Sequence, residues 1–167
     1  LPHPRIREVR ADVDLHPDKV PNDQMGLVFE NLIRRFNELA NETAGDHFTP
    51  REVIHLMVDL LFIGDDNLLT KGGYAVKMLD PACGTGGFLA AALEFIFRTN
   101  SSKTGAIRRE DEEGNKTTVY TGDKLNPDER RHVQDGMFFG FDFDATMLRI
   151  ASMNLILHGL ENPAIHY

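Results

Sequence analysis

Hydrophobic residues recur at helical spacing early in the chain, after an opening stretch that shows no periodic pattern. Residues 1–21 carry four prolines and many charges, and they predict an extended arm. Asn22 or Asp23 then suits a helix cap, and apolar residues from Met25 to Ala40 follow the spacing of one helix face. The pattern predicts an amphipathic helix with a single face toward a core.

A second helix is predicted shortly downstream. Thr49-Pro50-Arg51-Glu52 has the form of a capping box, with proline at the first helical position and glutamate at the third. Apolar residues continue the helix to Phe62, and Gly64 ends it. A plain capping role would by itself explain this tetrapeptide.

Strand-like and helix-like segments alternate through the rest of the chain. Strands are predicted at 75–79, 137–143 and 165–167, and helices at 87–97 and 145–158. A polar stretch, 99–136, interrupts this order and contains a predicted hairpin at 107–120 and a short helix begun by Asn126-Pro127. The alternation implies a parallel sheet with right-handed crossovers, which is an α/β fold.

One run of nine residues carries the strongest chemical signal: Asp80-Pro81-Ala82-Cys83-Gly84-Thr85-Gly86-Gly87-Phe88. It joins the first predicted strand to its helix, and its glycines let the backbone take positive φ and let a ligand approach the main chain. The helix start offers N–H groups and a positive dipole end to a carboxylate or another anionic group. Asp80, at the strand end, can accept a hydrogen bond from a ligand ammonium. An amino acid moiety carries both a carboxylate and an ammonium, so one ligand could bind the helix start and Asp80 together.

Several ligand classes remain open on these residues alone. A Gly-x-Gly turn suits NAD, FAD, a nucleotide or S-adenosylmethionine equally well. The chain has no Gly-x-x-x-x-Gly-Lys-Ser/Thr run, which argues against a P-loop. The NAD fingerprint needs a third glycine at the position where Leu89 stands. The Asp-Pro that opens the run is therefore its distinguishing feature.

That run resembles the S-adenosylmethionine motif of amino-directed DNA methyltransferases, in particular the modification subunit of type I restriction-modification systems. Upstream, residues 45–53 resemble the Phe-Thr-Pro-Arg cofactor motif of the same family. Downstream, residues 140–144 resemble its second-strand acidic motif, and residues 153–159 resemble the helix that follows. The three matches keep the family's order and extend over most of the chain.

The resemblance implies a Rossmann-like fold for S-adenosylmethionine-dependent methyl transfer. Residues 1–44 would form an arm and helical lead-in, and residues 45–167 the first part of the methyltransferase domain. The family's Asn/Asp-Pro-Pro-aromatic motif, which holds the target base, has no counterpart here because the chain contains no Pro-Pro pair. We therefore expect a chain truncated before the fourth strand, with the catalytic motif beyond Tyr167 and no methyl transfer by these residues alone.

The resemblance also implies a set of cofactor-binding residues: Asp46, His47, Phe48, Thr49, Pro50, Arg51, Asp80, Pro81, Gly84, Thr85, Gly86, Gly87 and Asp142. Of these, Phe48 could equally be a core residue, and Arg51 an exposed helix residue. Asp142 would accept hydrogen bonds from ribose hydroxyls, where the family usually has glutamate. It lies 62 positions after Asp80, against about 20 in nucleotide-type folds, and the polar stretch accounts for most of the excess. Asp144 is the alternative for this role. Asp142 is favoured because Gly140-x-Asp142 matches the motif, and Asp144 is interpreted as a cap for the next helix.

The resemblance implies transfer of a methyl group from S-adenosylmethionine to the N6 atom of adenine in double-stranded DNA. Its partners would be a specificity (S) subunit and a restriction (R) subunit. One alternative is a fused restriction-methylation enzyme with the same chemistry. The other is a non-catalytic nucleotide-binding scaffold module that uses the glycine loop without transfer.

Composition further restricts the possible binding partners, metal sites and location of the protein. The formal net charge of −8 argues against the bulk of this surface as a DNA-binding face, since phosphate contacts need clustered Lys and Arg. The single cysteine, Cys83, excludes a disulfide framework, and we interpret it as a small uncharged turn residue and not a nucleophile. The histidines show no metal-ligand spacing, so no metal is expected. Without a membrane-length apolar segment or a signal peptide, a cytoplasmic location is the default.

Overall fold

The computed structural model describes residues 49–63, 76–110 and 116–167, together with four helical residues near the start of the chain: Met25, Val28, Phe29 and Leu32. The predicted arm at 1–21, the loop at 65–73 and the domain boundary expected between residues 44 and 45 lie outside these described residues.

Besides those four helical residues, the described part of the chain contains four helices and five strands. The helices are α1 (Arg51–Leu61), α2 (Gly87–Thr99), α3 (Pro127–Asp135) and α4 (Ala145–Leu157). The strands are β1 (Met78–Asp80), β2 (Ala106–Glu110), β3 (Lys116–Tyr120), β4 (Phe138–Phe141) and β5 (Ala164–His166). Within the described ranges, no helix has the length and apolar character needed to cross a membrane.

The expected parallel sheet is confirmed. Its strand order is β1-β4-β5, and both neighbouring pairs run parallel. Asp80 at the end of β1 is in register with Gly140 in β4, so the carboxyl ends of the two strands meet at one edge. The polar stretch folds into the predicted hairpin, in which β2 pairs antiparallel with β3. In open α/β sheets, ligands bind at the carboxyl ends of the parallel strands, which here is the edge formed by the ends of β1 and β4.

Two strands, β1 and β4, are shorter than the sequence predicts. β1 begins at Met78, and Val76 and Lys77 precede it outside the ladder. β4 ends at Phe141, and Phe143, predicted to lie in a buried strand, is 86% exposed. The chain bends at Phe143, between the end of β4 and the start of α4, although the Asp142 N–H still donates to the His166 carbonyl at 3.2 Å.

The capping box predicted for α1 is wrong. Pro50 is the N-cap residue, with φ −58° and ψ 145°, and no side chain caps the helix. The carbonyl of Pro50 already accepts from the N–H groups of Val53 and Ile54, both at 3.0 Å. Thr49 therefore lies one residue too early for the capping role, and proline stands before the first helical position.

A capping box does form at α3, where the sequence predicts a helix start at Asn126-Pro127. The Asn126 side chain accepts from the N–H groups of Asp128 and Glu129, and the Glu129 carboxylate accepts from the Asn126 N–H at 2.9 Å. This helix leads directly into β4. Residues at the start of α3 itself thus determine where this helix begins, and the sequence predicts that start.

The core lies between the sheet and the helices α2 and α4. Its largest fully buried side chains include Leu89 and Leu93 of α2 and Leu155 of α4. A Cβ on Gly140 would lie 2.6 Å from Ile165 Cδ1 and 3.1 Å from both Cys83 Sγ and Leu89 Cδ1. Side chains of β5, of the glycine loop and of α2 thus crowd around Gly140, so the start of α2 packs directly on the sheet.

Helix α1 packs on α2 through one face. Val58 and Phe62 are buried, and the Phe62 ring stacks on Phe95 of α2 with the ring centroids 4.7 Å apart. Ile54 is half-buried, and several other apolar side chains of α1 are exposed in the described part of the chain, including Leu56, Met57, Leu60 and Leu61. The packing places the beginning of α1 beside the beginning of α2.

Candidate cofactor site

The glycine loop between β1 and α2 has the backbone conformation that the sequence predicts. Gly84 and Gly86 have φ values of 53° and 75°, in the left-handed region where a side chain is strained. A Cβ on Gly84 would meet no atom within 4 Å, so the space beside it is open to a ligand. Gly86 is the N-cap of α2, and no side chain caps that helix. Backbone N–H groups at the helix start can therefore serve an anionic group.

Asp142 joins the loop to the end of β4. One carboxylate oxygen accepts from the Gly84 N–H at 2.9 Å, and the other accepts from the Asp144 N–H at 2.9 Å. Beside it, the Cys83 N–H donates to the Phe141 carbonyl at 2.8 Å. The glycine run and the acidic strand end thus form one site, although 58 residues separate Gly84 from Asp142.

The expected role of Asp144 is confirmed. Its side chain accepts from the Thr146 N–H at 2.7 Å and caps α4.

Helix α4 supports the loop from the other side. The Asn154 side-chain amide donates to the Thr85 carbonyl at 2.9 Å. A Cβ on Gly86 would lie 3.2 Å from both the Cα and the Cβ of Ala151, so the loop backbone rests on this helix. Sequence reasoning assigns no role to Asn154 or Ala151. A lone amide in an apolar helix is the signal that could have identified Asn154.

The site is electrostatically negative. Asp80 is half-buried, and its carboxylate accepts from the Ala82 N–H at 3.2 Å. Burial raises the pKa of Asp80 above its usual range and the charge of Asp142 adds to that, while the bond from Ala82 partly opposes the shift. Neither carboxylate forms an ion pair with a residue in the described ranges. A positively charged ligand group would relieve this repulsion.

Cys83 lies under the loop as a neutral residue. It is buried, and burial raises the pKa of its thiol to about 11, with the charges of Asp80 and Asp142 adding to the effect. A nucleophilic cysteine needs a depressed pKa. The burial and the raised pKa of Cys83 support its interpretation as an uncharged turn residue.

The upstream segment approaches the loop through α1. A Cβ on Gly87 would lie 3.2 Å from Ile54 Cδ1, about one turn after the start of α1. Thr49, Pro50 and Arg51 are exposed at that start. Asp46, His47 and Phe48 lie outside the described residues, so their expected role stays a prediction.

The structure offers no metal centre within the described ranges. No three His, Cys, Asp or Glu side chains there come close enough together to hold an ion. His132 bonds to the Val76 carbonyl at 2.7 Å, and His158 to the Asn154 carbonyl at 2.8 Å. These two histidines have structural partners.

Comparison with known proteins decides the family. The model of the N-6 DNA Methylase family matches residues 20–167, nearly the whole chain. The chain belongs to the N-6 DNA methylase family. Its glycine loop and its acidic strand end are accordingly parts of a methylase fold, as the sequence resemblance implies.

Relatives within the family include methylase subunits of type I restriction enzymes. The MjaIX methylase subunit of Methanocaldococcus jannaschii is 30% identical over 139 residues, which cover 83% of this chain and 18% of that protein. The HindI methylase subunit of Haemophilus influenzae is 23% identical over 139 residues, covering 83% and 22%. This chain thus spans about a fifth of the length of these relatives.

A solved structure shows the same fold. A crystal structure of a modification subunit, assigned to a type I restriction enzyme of Vibrio vulnificus YJ016, superposes with a TM-score of 0.55 and 26% identity. The match covers 87% of this chain and 24% of the other. The α/β methyltransferase fold expected from the sequence is confirmed.

Proposed function

We propose that this N-6 DNA methylase chain holds the S-adenosylmethionine side of a site-specific DNA adenine-N6 methyltransferase, the modification subunit of a type I restriction-modification system. The observation that carries the proposal is the bond from Gly84 to Asp142, which unites the glycine loop and the acidic strand end beside Asp80. The type I relatives support the choice of system.

The residues present fit S-adenosylmethionine by charge. The ligand carries an ammonium and a sulfonium, and the site offers two carboxylates, Asp80 and Asp142, without an ion-pair partner in the described ranges. Asp80 would hold the ammonium, and the N–H groups at the start of α2 would hold the carboxylate. NAD and FAD bring a pyrophosphate to such a loop, and two nearby carboxylates disfavour that anion.

Asp142 would also hold the ribose hydroxyls. Each of its oxygens already accepts one backbone N–H, from Gly84 and Asp144. An ionised carboxylate offers about four acceptor positions, so two remain for hydroxyl donors. The backbone bonds therefore orient the carboxylate and leave it able to bind the ligand.

The remaining contacts come from two segments. Pro81, Thr85, Gly86 and Gly87 would line the cofactor along the loop, with Gly84 at the open space described above. The segment made of Asp46, His47, Phe48, Thr49, Pro50 and Arg51 would approach the methionine end. The packing of Ile54 against the Gly87 position supports this placement, because it brings the start of α1 to the loop.

When bound, S-adenosylmethionine supplies the methyl group that an adenine amino nitrogen receives. This chain's own residues bind and orient the donor. The residues that hold the adenine are proposed to lie in the part of the relatives that this chain does not span, since the chain has no Pro-Pro pair. Contacts to double-stranded DNA are assigned to the rest of the protein, because the chain carries a net charge of −8.

The proposed partners are a specificity (S) subunit, which would choose the target sequence, and a restriction (R) subunit. We place the reaction in the cytoplasm. A fused enzyme is the second candidate, and one relative favours it. The protein named type II restriction enzyme and methyltransferase RM.BcgI, from Heyndrickxia coagulans, is 28% identical over 111 residues, 66% of this chain.

Calorimetry on the full-length protein tests the cofactor. We expect S-adenosylmethionine or its demethylated product to bind more tightly than NAD. Comparable or tighter binding of NAD would contradict the assignment of S-adenosylmethionine as the cofactor. Methylation of duplex DNA with and without a separate specificity subunit then distinguishes the subunit from the fused enzyme, and binding without any transfer would favour the scaffold alternative.

A further inference from the structure

A buried amide in α4 is unusual in its surroundings. Asn154 is 6% exposed and lies between Met153 and Leu155 in an otherwise apolar segment. Its Oδ1 is buried and has no hydrogen-bond partner in the described part of the chain. Burying an unsatisfied polar atom is unfavourable, and an apolar side chain of the same volume would avoid that cost. Packing alone therefore does not explain the asparagine.

The one side-chain bond that Asn154 makes acts on the centre of the glycine loop. Its Nδ2 donates to the Thr85 carbonyl at 2.9 Å. In the same peptide unit, the Gly86 N–H donates to the Cys83 carbonyl at 2.8 Å. Both polar groups of the Thr85–Gly86 peptide are thus bonded, which fixes the peptide plane between the two left-handed glycines, Gly84 and Gly86.

This plane determines where the ligand-facing backbone points. The next residue, Gly87, begins α2, so the direction of the first helical N–H groups depends on the peptide that precedes them. Asp142 anchors the loop one residue earlier, at Gly84. Without the bond from Asn154, the loop would keep that anchor and lose the one on the helix side.

We propose that Asn154 is a positioning residue for the cofactor: it holds the Thr85–Gly86 peptide in the orientation that binds the amino acid end of the ligand. The inference rests on the proposed function, since it assumes that S-adenosylmethionine occupies this loop. It predicts that removing the donor weakens cofactor binding while the fold persists.

Two variants remove the donor in different ways. Asn154→Leu keeps the branching and the number of side-chain heavy atoms and also removes the unsatisfied oxygen, whereas Asn154→Asp keeps the shape and adds a carboxylate. Ser152→Ala is the matched control, because Ser152 lies on the same helix and its hydroxyl donates to the Leu148 carbonyl at 2.8 Å, within α4. That control loses a side-chain bond without touching the loop.

The measurements use the complete methyltransferase with the subunits it needs for DNA methylation. For Asn154→Leu we expect the dissociation constant and the KM for S-adenosylmethionine to rise about three- to tenfold, the equivalent of one lost hydrogen bond. The kcat at saturating cofactor and the KM for DNA should hold, because the bond is present before and during transfer. The unfolding temperature should stay at the wild-type value, and Ser152→Ala should leave cofactor affinity unchanged.

Each outcome has one meaning. If wild-type protein does not bind S-adenosylmethionine, the proposed function fails, and this inference fails with it. If wild type binds and Asn154→Leu binds equally well, the positioning role alone is wrong. If neither donor-free variant folds, Asn154 is a stability residue and the proposal is likewise overturned. A selective rise in KM for the cofactor in both variants supports it.

Discussion

The Asp142 carboxylate accepts a hydrogen bond from the Gly84 N–H at 2.9 Å, across 58 residues of sequence. A side chain that the sequence assigns to ligand binding is therefore also a tether for the loop that surrounds the ligand. Loss of this side chain should affect both the loop and the cofactor.

Replacing Asp142 with alanine should weaken binding of S-adenosylmethionine by about 1.5–3 kcal/mol, the range for bonds to a charged group. Asp144→Ala should leave that affinity nearly unchanged and lower the free energy of unfolding by about 0.5–2 kcal/mol, because Asp144 caps α4. Calorimetry and urea denaturation on the full-length protein measure the two effects. If Asp144→Ala is the more damaging change for binding, the roles of the two aspartates are reversed.

Binding of the cofactor should depend on pH through Asp80. Burial, with the charge of Asp142, holds the pKa of Asp80 above its usual range, and only the ionised form attracts an ammonium. Affinity should therefore fall as the pH falls through that raised pKa. The difference between the binding profiles of wild type and Asp80→Asn isolates this group. Parallel profiles would mean that Asp80 does not face the ligand's ammonium.

The same group should act oppositely on the stability of the ligand-free protein. Because the pKa of Asp80 is higher in the folded state than in the unfolded state, its contribution favours folding below the unfolded pKa. That contribution is lost as the pH rises through the folded pKa. Asp80→Asn should then raise the unfolding temperature of the ligand-free protein at neutral pH while it weakens binding. A lower unfolding temperature would contradict this account.

Two glycine substitutions should separate backbone strain from crowding. Alanine at Gly84 or Gly86 takes a left-handed conformation, which costs roughly 1–2 kcal/mol for a residue with a Cβ. Only at Gly86 would the Cβ also press on Ala151, 3.2 Å away. Gly86→Ala should therefore lower the free energy of unfolding more than Gly84→Ala does. Gly84→Ala should in addition lower cofactor affinity, because its Cβ would enter the open space beside the loop. Equal losses of stability would show that α4 shifts to accommodate the added Cβ without a cost in free energy.

The capping box predicted at Thr49 and the one observed at Asn126 should respond differently to alanine. Asn126→Ala should lower the free energy of unfolding by about 1 kcal/mol, because that residue caps α3. Thr49→Ala should leave stability unchanged, since no side chain caps α1. Thermal unfolding of both variants checks this. If Thr49→Ala weakens cofactor binding at constant stability, that supports its place in the proposed site.

The sequence was most informative where the cause of a structure is local. The glycine turn, the helix start at Asn126-Pro127 and the parallel direction of the strands follow from local sequence patterns and were predicted correctly. The capping box at Thr49 failed because a shift of one residue in the helix start removes it, and sequence pattern does not fix a start to one residue. A lone amide in an apolar helix marks Asn154 as unusual, but its contact with Thr85 spans 69 residues, and no local pattern identifies that partner.

The bonds from Asp142 and Asn154 to the glycine loop join residues far apart in the sequence, so they can form only late in the synthesis of the chain. A ribosome that has translated the glycine loop has not yet translated Asp142 or Asn154, the two side chains that hold it. The loop and its first helix therefore leave the ribosome without their anchors, and closing such long segments is a late step in folding. The nascent chain should gain no stabilisation from the cofactor until β4 and α4 have both emerged and packed.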